Sequence, residues 1–217
     1  MARTRGRIIK AARRLLPSAA EMPVDTIAAK AGVSVQTLYT HFGSKRGLLL
    51  AVIDAAQRDA GTYADFERVW HSPDGETALR RMIGATVRVW ARAWPIVEFS
   101  ERARRTDPQI LRHLREVDGY RLANLRSITD RLAIEERLRP GLDAAAAADL
   151  AFAMSLPAIY EQLVRVRGWS ELRAASSVTD AVVAAVIDPA RPAVGQPPAD
   201  WSAALRPSDA LVSADRP

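Results

Sequence analysis

Residues Val24 to Leu49 read VDTIAAKAGVSVQTLYTHFGSKRGLL, and this stretch decides the fold. Ile27 and Ala31 recur at helical spacing until Gly32, a residue type that suits the C-terminus of a helix. Ser34 follows as a side chain that can cap a second helix. The stretch therefore predicts two helices joined by a glycine turn, in which one helix can lie across a DNA backbone and the other in the major groove.

The rest of the sequence also predicts helices, and no strands, because Ala, Leu and Arg dominate and no stretch keeps a period-two apolar alternation. We expect Pro95 to disrupt one helix and Pro157 to kink another. The expected helices are Thr4 to Leu16, one from near Pro23 to Ala31, Ser34 to Thr40, one after Ser44, one from Gly75 to Pro95, Pro108 to Leu132, Ala144 to Val166, and Ser170 to Ile187.

Composition places the chain among ordinary globular proteins. Its 217 residues are 48% hydrophobic and 26% charged, enough for one or two domains with a buried core. The absence of Cys excludes a disulfide scaffold and a thiolate metal site. No apolar run is long enough for a membrane span, and the first residues lack the apolar region of a signal peptide. We therefore expect a cytoplasmic protein with no membrane partner.

The excess positive charge is confined to the N-terminal quarter. Residues 1 to 54 hold nine Lys and Arg against three Asp and Glu, whereas residues 55 to 217 hold 22 of each. Such a local excess favours a polyanion partner, because phosphates that a protein neutralises release their counterions. A solvated basic surface is the alternative.

The second helix of the quoted stretch offers short or planar hydrogen-bonding side chains, where a purely structural helix would offer Lys, Glu and Ala. Gln36 can bond adenine, and the methyl groups of Val35 or Thr37 can touch a thymine methyl. The start of the next helix favours an anion. The predicted DNA-binding residues are Ser34, Val35, Gln36, Thr37, Tyr39, Thr40, His41, Lys45 and Arg46.

The segment resembles the DNA-binding domain of the TetR family of bacterial transcriptional regulators. The resemblance rests on Ala31-Gly32-Val33-Ser34, Thr37-Leu38-Tyr39, His41-Phe42 and Lys45. It implies a helix-turn-helix at Asp25 to Thr40, contacts with double-stranded DNA, and a homodimer on a two-fold operator. Two features depart from the family pattern: the stretch from Pro17 to Pro23 replaces the usual glycine turn, and Arg46 stands where an acidic residue is frequent.

The predicted fold class is all-α, with a three-helix helix-turn-helix domain over residues 1–54 and a helical ligand-binding and dimerisation domain over 55–187. Residues 188–217 are rich in Pro and are predicted to form a disordered tail. The resemblance implies that the last two helices form the dimer interface. The Ala-rich start of the first, Ala144 to Ala148, permits close helix approach, and the apolar residues of both helices exceed what one packed layer needs.

The resemblance also implies that the second domain binds a small-molecule effector. Aromatic residues and Met can line an apolar pocket, and a polar series along the long helix, at spacings of 7, 4 and 3, can orient a ligand. The apolar residues can equally be ordinary core, and the polar series can face water. The predicted pocket residues are Trp90, Trp94, Phe99, His113, Tyr120, Asn124, Ser127 and Met154.

No catalytic motif is recognisable. The three His residues are scattered, and the sequence contains no HExxH, GxSxG or P-loop. We therefore predict neither enzyme activity, nor a metal, nor a cofactor apart from the effector. The function predicted from the resemblance is a ligand-released repressor. An activator of the same fold, and a ligand-binding helical protein that acts through a protein partner, are the alternatives.

Overall fold

The computed structural model describes residues 2–16, 22–59 and 62–191. Within these ranges the fold is all-α, as predicted, and the only strand-like feature is an isolated bridge between Leu138 and Ile187. The helices are α1 (Ala2–Leu15), α2 (Val24–Ala31), α3 (Val35–Phe42), α4 (Lys45–Asp59), α5 (Thr62–Trp70), α6 (Gly75–Ala103), α7 (Pro108–Ile134), α8 (Ala144–Met154), α9 (Pro157–Tyr160), which continues as a π-helical segment (Glu161–Val166), and α10 (Glu171–Val186).

Side-chain caps define many of the helix starts, as the sequence predicts. At each of these positions a side-chain oxygen accepts a hydrogen bond from a backbone N–H two or three residues further on. The capping residues are Ser34, Ser44, Asp107, Asp143 and Ser170. Gly32 ends α2 in the left-handed conformation, with φ of 65°, which a side chain on Cβ would strain.

The two prolines expected to disturb helices behave differently from the prediction. The expectation that Pro95 disrupts its helix is wrong, because α6 continues through it to Ala103. The Pro95 ring is exposed while Ile96 beside it is buried, so core packing on the opposite side holds the helix together. At Pro157 the chain breaks fully: α8 ends at Met154, and Leu156 takes the extended conformation that a following proline favours.

Helix α5 was not expected from the sequence, whereas α4 is the helix predicted after Ser44. The predicted end of α1 at Pro17 and the turn that follows, as far as residue 21, lie outside the described residues, as does the predicted tail from residue 192 onward. Residues 188–191 are described, and the N–H of Asp188 donates to the carbonyl of Arg137 at 2.9 Å.

The first of two compact units consists of residues 1–62 and 89–118. The hydrophobic core of this unit is not formed by the N-terminal helices α1 to α4 alone, because the end of α6 and the start of α7 also contribute side chains to it. Its large buried side chains are Ile8, Leu16, Ile27, Leu38, Leu48, Val52, Ile96, Phe99, Ile110 and Leu114. The boundary of the predicted domain at residue 54 stays a prediction.

The second compact unit consists, among the described residues, of residues 63–88 and 119–191. Within it α8 packs against α10, and their facing surfaces are small and β-branched residues such as Ala147, Ala151 and Val182. Buried Arg131 donates to the carbonyl oxygens of Ser72 and Pro73, which fixes the loop before α6. No helix in the described part of the chain is long and apolar enough to span a membrane.

Candidate nucleic-acid interface

Helix α3 is short, and its ends are set by local chemistry. Ser34 adopts an extended conformation and its Oγ accepts the N–H of Thr37 at 3.0 Å. Gly43 ends the helix with φ of 71°, and Leu38 is fully buried beneath it. Eight residues span about 12 Å at 1.5 Å per residue. The diameter of an α-helix with its side chains, about 10–12 Å, is what fits the DNA major groove, about 12 Å wide.

The structure brings the sequence-predicted DNA-binding residues together on α3 and on the two turns that flank it. Leu38 faces the core, so the opposite side of α3 faces solvent. The exposed members of the predicted set are Ser34, Gln36, Tyr39, Thr40 and Lys45, and the partly buried members are Val35, Thr37, His41 and Arg46.

Two hydroxyl groups of this surface are oriented by bonds within the helix. Ser34 Oγ lies 2.8 Å from Thr37 Oγ1, and Thr40 Oγ1 donates to the carbonyl of Gln36 at 3.0 Å. Because a hydroxyl has one hydrogen to donate, the Thr40 oxygen is left as an acceptor. In this conformation Thr40 suits a base amino group better than a phosphate oxygen.

The turn between α3 and α4 depends on Gly47. Ser44 Oγ accepts the N–H of Gly47 at 2.9 Å, which caps α4. A Cβ atom at Gly47 would overlap the carbonyl oxygen of Phe42, so only glycine permits this close approach. The glycine that is unfavourable for helix propensity is therefore required by the turn that presents Lys45.

Arg46 is not directed to solvent as a phosphate contact would be. Its Nε lies 2.9 and 2.8 Å from the two carboxylate oxygens of Asp107, and its Nη1 donates to Gln109 Oε1 at 3.0 Å. The bond from Arg46 is the main reason that the pKa of Asp107 lies below its ordinary value. Arg46 is therefore engaged in an intramolecular ion pair.

Two arginines of α1 also contact this surface, and residue-by-residue analysis of the quoted stretch missed them. The Arg5 guanidinium stacks over the Phe42 ring at 5.1 Å, and Arg7 Nη2 donates to the carbonyl of Gly32 at 3.1 Å. Arg5 therefore lies at the C-terminal end of α3, and Arg7 lies at the turn before α3. The charge excess of residues 1 to 54 was the signal available in the sequence.

Part of the predicted effector pocket lies in the first unit. Trp90, Trp94 and Phe99 are buried, and Phe99 belongs to the core that also contains Leu38. His113 Nε2 lies 3.2 Å from Asp54 Oδ1 of α4. This bond raises the pKa of His113 above its ordinary value, with burial opposing the shift.

The remaining predicted pocket residues belong to the second unit. Tyr120 is 39% exposed, and Asn124 and Met154 are partly buried. Ser127 Oγ donates to the carbonyl of Ala123 at 3.2 Å, which satisfies the hydroxyl within its own helix. The polar series from His113 to Ser127 is therefore divided between the two units, and an effector pocket at these residues stays a prediction. No cluster of three or more His, Asp or Glu that could hold a metal occurs among the described residues.

Helices α1 to α3 form a three-helix head in which α2 and α3 are a helix-turn-helix, and the rest of the described chain is also helical. This arrangement defines the class of helix-turn-helix regulators. Residues 8–52 match the family model described as bacterial regulatory proteins, tetR family. That match identifies residues 8–52 as a DNA-binding segment of the TetR type, and most of the chain shares its fold with solved TetR-family regulators.

Solved structures with the same fold cover most of the chain. The TetR-family transcriptional regulator PfmR from Thermus thermophilus is 25% identical, with 81% of this chain and 91% of that chain covered and a TM-score of 0.59. FadR from Bacillus subtilis, in complex with stearoyl-CoA, is 19% identical (83% and 98% covered, TM-score 0.69). NalD from Pseudomonas aeruginosa, a secondary repressor of a multidrug efflux pump, is 18% identical (87% and 98%, 0.65). No curated protein sequence matches the chain.

Proposed function

We propose that this protein is a sequence-specific transcriptional repressor that binds a two-fold symmetric operator as a homodimer and is released by a small-molecule effector. The observation that carries the proposal is α3. Its solvent side offers Gln36, Tyr39 and Thr40 above a buried Leu38. These side chains suit base edges and phosphates, whereas a helix that serves only packing has no need of them.

The charges around α3 support the same surface. Arg7 lies at the turn before α3, and Arg5 lies over the ring of Phe42 at its C-terminal end, where Lys45 follows Phe42 closely in sequence. Cations at both ends of a helix in the major groove face the phosphates on the two walls of that groove. We therefore add Arg5 and Arg7 to the predicted phosphate contacts, beside Lys45.

The homodimer is supported by apolar side chains that the second unit leaves exposed. Val178, Val182 and Val186 of α10 are buried within the protomer, so they are not available to a partner. Along α8 to α10 the exposed aliphatic residues are instead Leu150, Ile159, Val166 and Leu172, with exposures of 39, 38, 60 and 83%. A two-fold dimer formed there would present two heads to half-sites about 34–36 Å apart, one turn of DNA.

The proposals of an effector and of a repressor role are supported by proteins with a similar fold. FadR of Bacillus subtilis was solved with stearoyl-CoA, and NalD is a repressor. For an apolar or amphipathic effector, the buried Trp90 and Trp94 are the first residues to replace in a ligand screen. DNA as partner places the protein in the cytoplasm.

Selection of DNA from a random library by the purified protein tests the proposal. The enriched site is then titrated over a range of salt concentrations with the wild type and with Lys45→Ala and Arg5→Ala. Each lost phosphate contact reduces the slope of log K against log salt by about 0.9. Arg126→Ala, which removes an exposed arginine of the second unit, is the matched control and leaves the slope unchanged.

Enrichment of a two-fold symmetric sequence, with shallower slopes for Lys45→Ala and Arg5→Ala only, supports the proposal. Weak binding without sequence preference, with the same slope in all four proteins, contradicts it. The helical protein that acts through a protein partner then becomes the better hypothesis.

A further inference from the structure

Arg46 and Asp107 join two helix starts that are far apart in sequence. Arg46 lies in the first turn of α4, directly after Lys45, and Asp107 is the N-cap residue of α7. The guanidinium Nε lies between both carboxylate oxygens, at 2.9 and 2.8 Å. The side chains are 37 and 24% exposed, so the pair is partly shielded from solvent.

The carboxylate of Asp107 is held in place independently of Arg46. Its Oδ1 accepts the N–H groups of Gln109 at 2.9 Å and Ile110 at 3.3 Å, and the Gln109 side chain accepts a bond from Arg46 Nη1. Because the cap fixes the carboxylate, the arginine meets an acceptor that is already oriented. We call Arg46, Asp107 and Gln109 the α4–α7 clasp.

A second polar contact ties the same two helices together. Asp54 lies eight residues after Arg46, about 12 Å further along α4, and its carboxylate meets His113 of α7 at 3.2 Å. All of these residues belong to the first compact unit. Helix α4 is therefore fixed to α7 at its N-terminus and again near its middle.

Binding of a phosphate through Nε or Nη1 of Arg46 would displace Asp107 or Gln109 from those atoms. The carboxylate would then lose its ion-pair partner while a second anion approached, so the exchange gains little. The present arrangement instead fixes the turn that carries Lys45.

We propose that Arg46 is a positioning residue and not a phosphate contact: through the α4–α7 clasp it fixes the start of α4, and with it Lys45 and the end of α3, in the orientation that binds DNA. This inference rests on the proposed DNA-binding function. It assigns to Asp107, which lies between α6 and α7 and away from α3 in sequence, an effect on DNA affinity without contact with DNA.

The test compares Asp107→Asn, Arg46→Gln and the double variant on the selected operator. Asparagine keeps the cap and removes only the charge, so α7 still begins normally. We expect each single variant to weaken operator binding by about three- to tenfold, in the range of coupling between linked sites. The double variant is no weaker than the single ones, because both remove the same interaction. The salt slope stays that of the wild type in all three.

A phosphate contact from Arg46 gives the opposite pattern. Arg46→Gln then lowers the salt slope by about 0.9, and Asp107→Asn strengthens binding because it removes a competing anion. Either result overturns the proposal. Lys45→Ala is measured beside them and shows what the loss of a phosphate contact looks like in this protein.

Thermal unfolding of the wild type, Asp107→Asn, Arg46→Gln and the double variant tests the clasp without DNA. We expect both single variants to lower the Tm by a few degrees, and the double variant to lower it by less than the sum. Additive changes in Tm overturn the clasp even if the wild type binds no operator. A wild type that fails to bind DNA but shows coupled Tm changes contradicts the proposed function and leaves the clasp intact.

Discussion

At the scale of single residues, Ser34 caps α3 and is also a predicted DNA contact, and substitutions can separate these two roles. Its Oγ accepts the N–H of Thr37 and lies 2.8 Å from the Thr37 hydroxyl, so it both starts α3 and orients a neighbouring side chain. It is also exposed at the end of α3 that we expect at the DNA. A cap needs only an acceptor oxygen, whereas a DNA contact also depends on charge.

We expect Ser34→Ala to lower the free energy of unfolding by about 1 kcal/mol, because it removes the cap. Ser34→Asp keeps an acceptor there and leaves stability within a few tenths of a kcal/mol of the wild type. Its carboxylate faces phosphates, so operator affinity falls by about tenfold or more. Urea unfolding and fluorescence anisotropy measure the two quantities. Equal operator affinity of Ser34→Asp and the wild type would show that α3 does not enter DNA at this end.

Residue-level features were predictable from sequence where their partners are near in the chain. The caps at Ser34, Asp143 and Ser170 bond to N–H groups three residues on, so residue type and position suffice. Arg46 shows the limit. Its partner Asp107 is 61 residues away, and only the packing of α4 against α7 brings the two together.

At the scale of helices, the same limit explains the prolines. Pro95 and Pro157 carry the same local signal, yet α6 continues through the first and α8 ends before the second. Buried side chains such as Ile96 and Phe99, with the proline ring on the solvent side, keep α6 helical. The packing of a tertiary core can outweigh the local tendency of a proline to end a helix. This packing cannot be predicted from a single sequence.

The contact between α4 and α7 at Asp54 and His113 has a pH dependence whose sign follows from its geometry. The bond to Asp54 raises the pKa of His113 above its ordinary 6.5, burial opposes this, and Asp54 and Glu116 add favourable charge. A folded-state pKa above the unfolded value means that the protonated form stabilises the fold. The contribution is therefore complete below pH 6.5 and is lost as the pH rises through the folded-state pKa.

We expect the free energy of unfolding to fall as the pH rises above 6.5, and His113→Gln to remove this part of the fall. Urea unfolding at a series of pH values measures it. Asp54→Asn serves as the second variant, because it removes the cause of the pKa shift and retains the histidine. Identical pH profiles of the wild type and His113→Gln would refute the assignment.

At the scale of the whole molecule, the proposed dimer depends on the surface of the second unit. The sequence indicated an excess of apolar residues in the last helices. It did not indicate which of them remain exposed for a partner, because that depends on burial within the protomer, where the valines of α10 are buried. The exposed Val166 and Leu172 lie on either side of the turn at Gly168, where φ is 70°. The proposed dimer would bury these two side chains against the partner protomer.

Aspartate at either exposed position separates dimerisation from folding. We expect Val166→Asp and Leu172→Asp to weaken self-association by about tenfold or more in sedimentation experiments, because a charge is buried without a partner at the interface. Their Tm at low protein concentration stays near that of equally dilute wild type. Ile134→Asp is the matched control, since Ile134 is 74% exposed in the same unit but lies at the end of α7.

Operator binding then reports on symmetry. A monomer contacts one half-site, so the weakened variants should bind the full two-fold site no better than an isolated half-site, whereas Ile134→Asp keeps the full affinity. If Val166→Asp and Leu172→Asp remain dimers and only Ile134→Asp dissociates, the interface lies at the end of α7. If all three variants remain dimers with wild-type operator affinity, self-association does not use these exposed side chains.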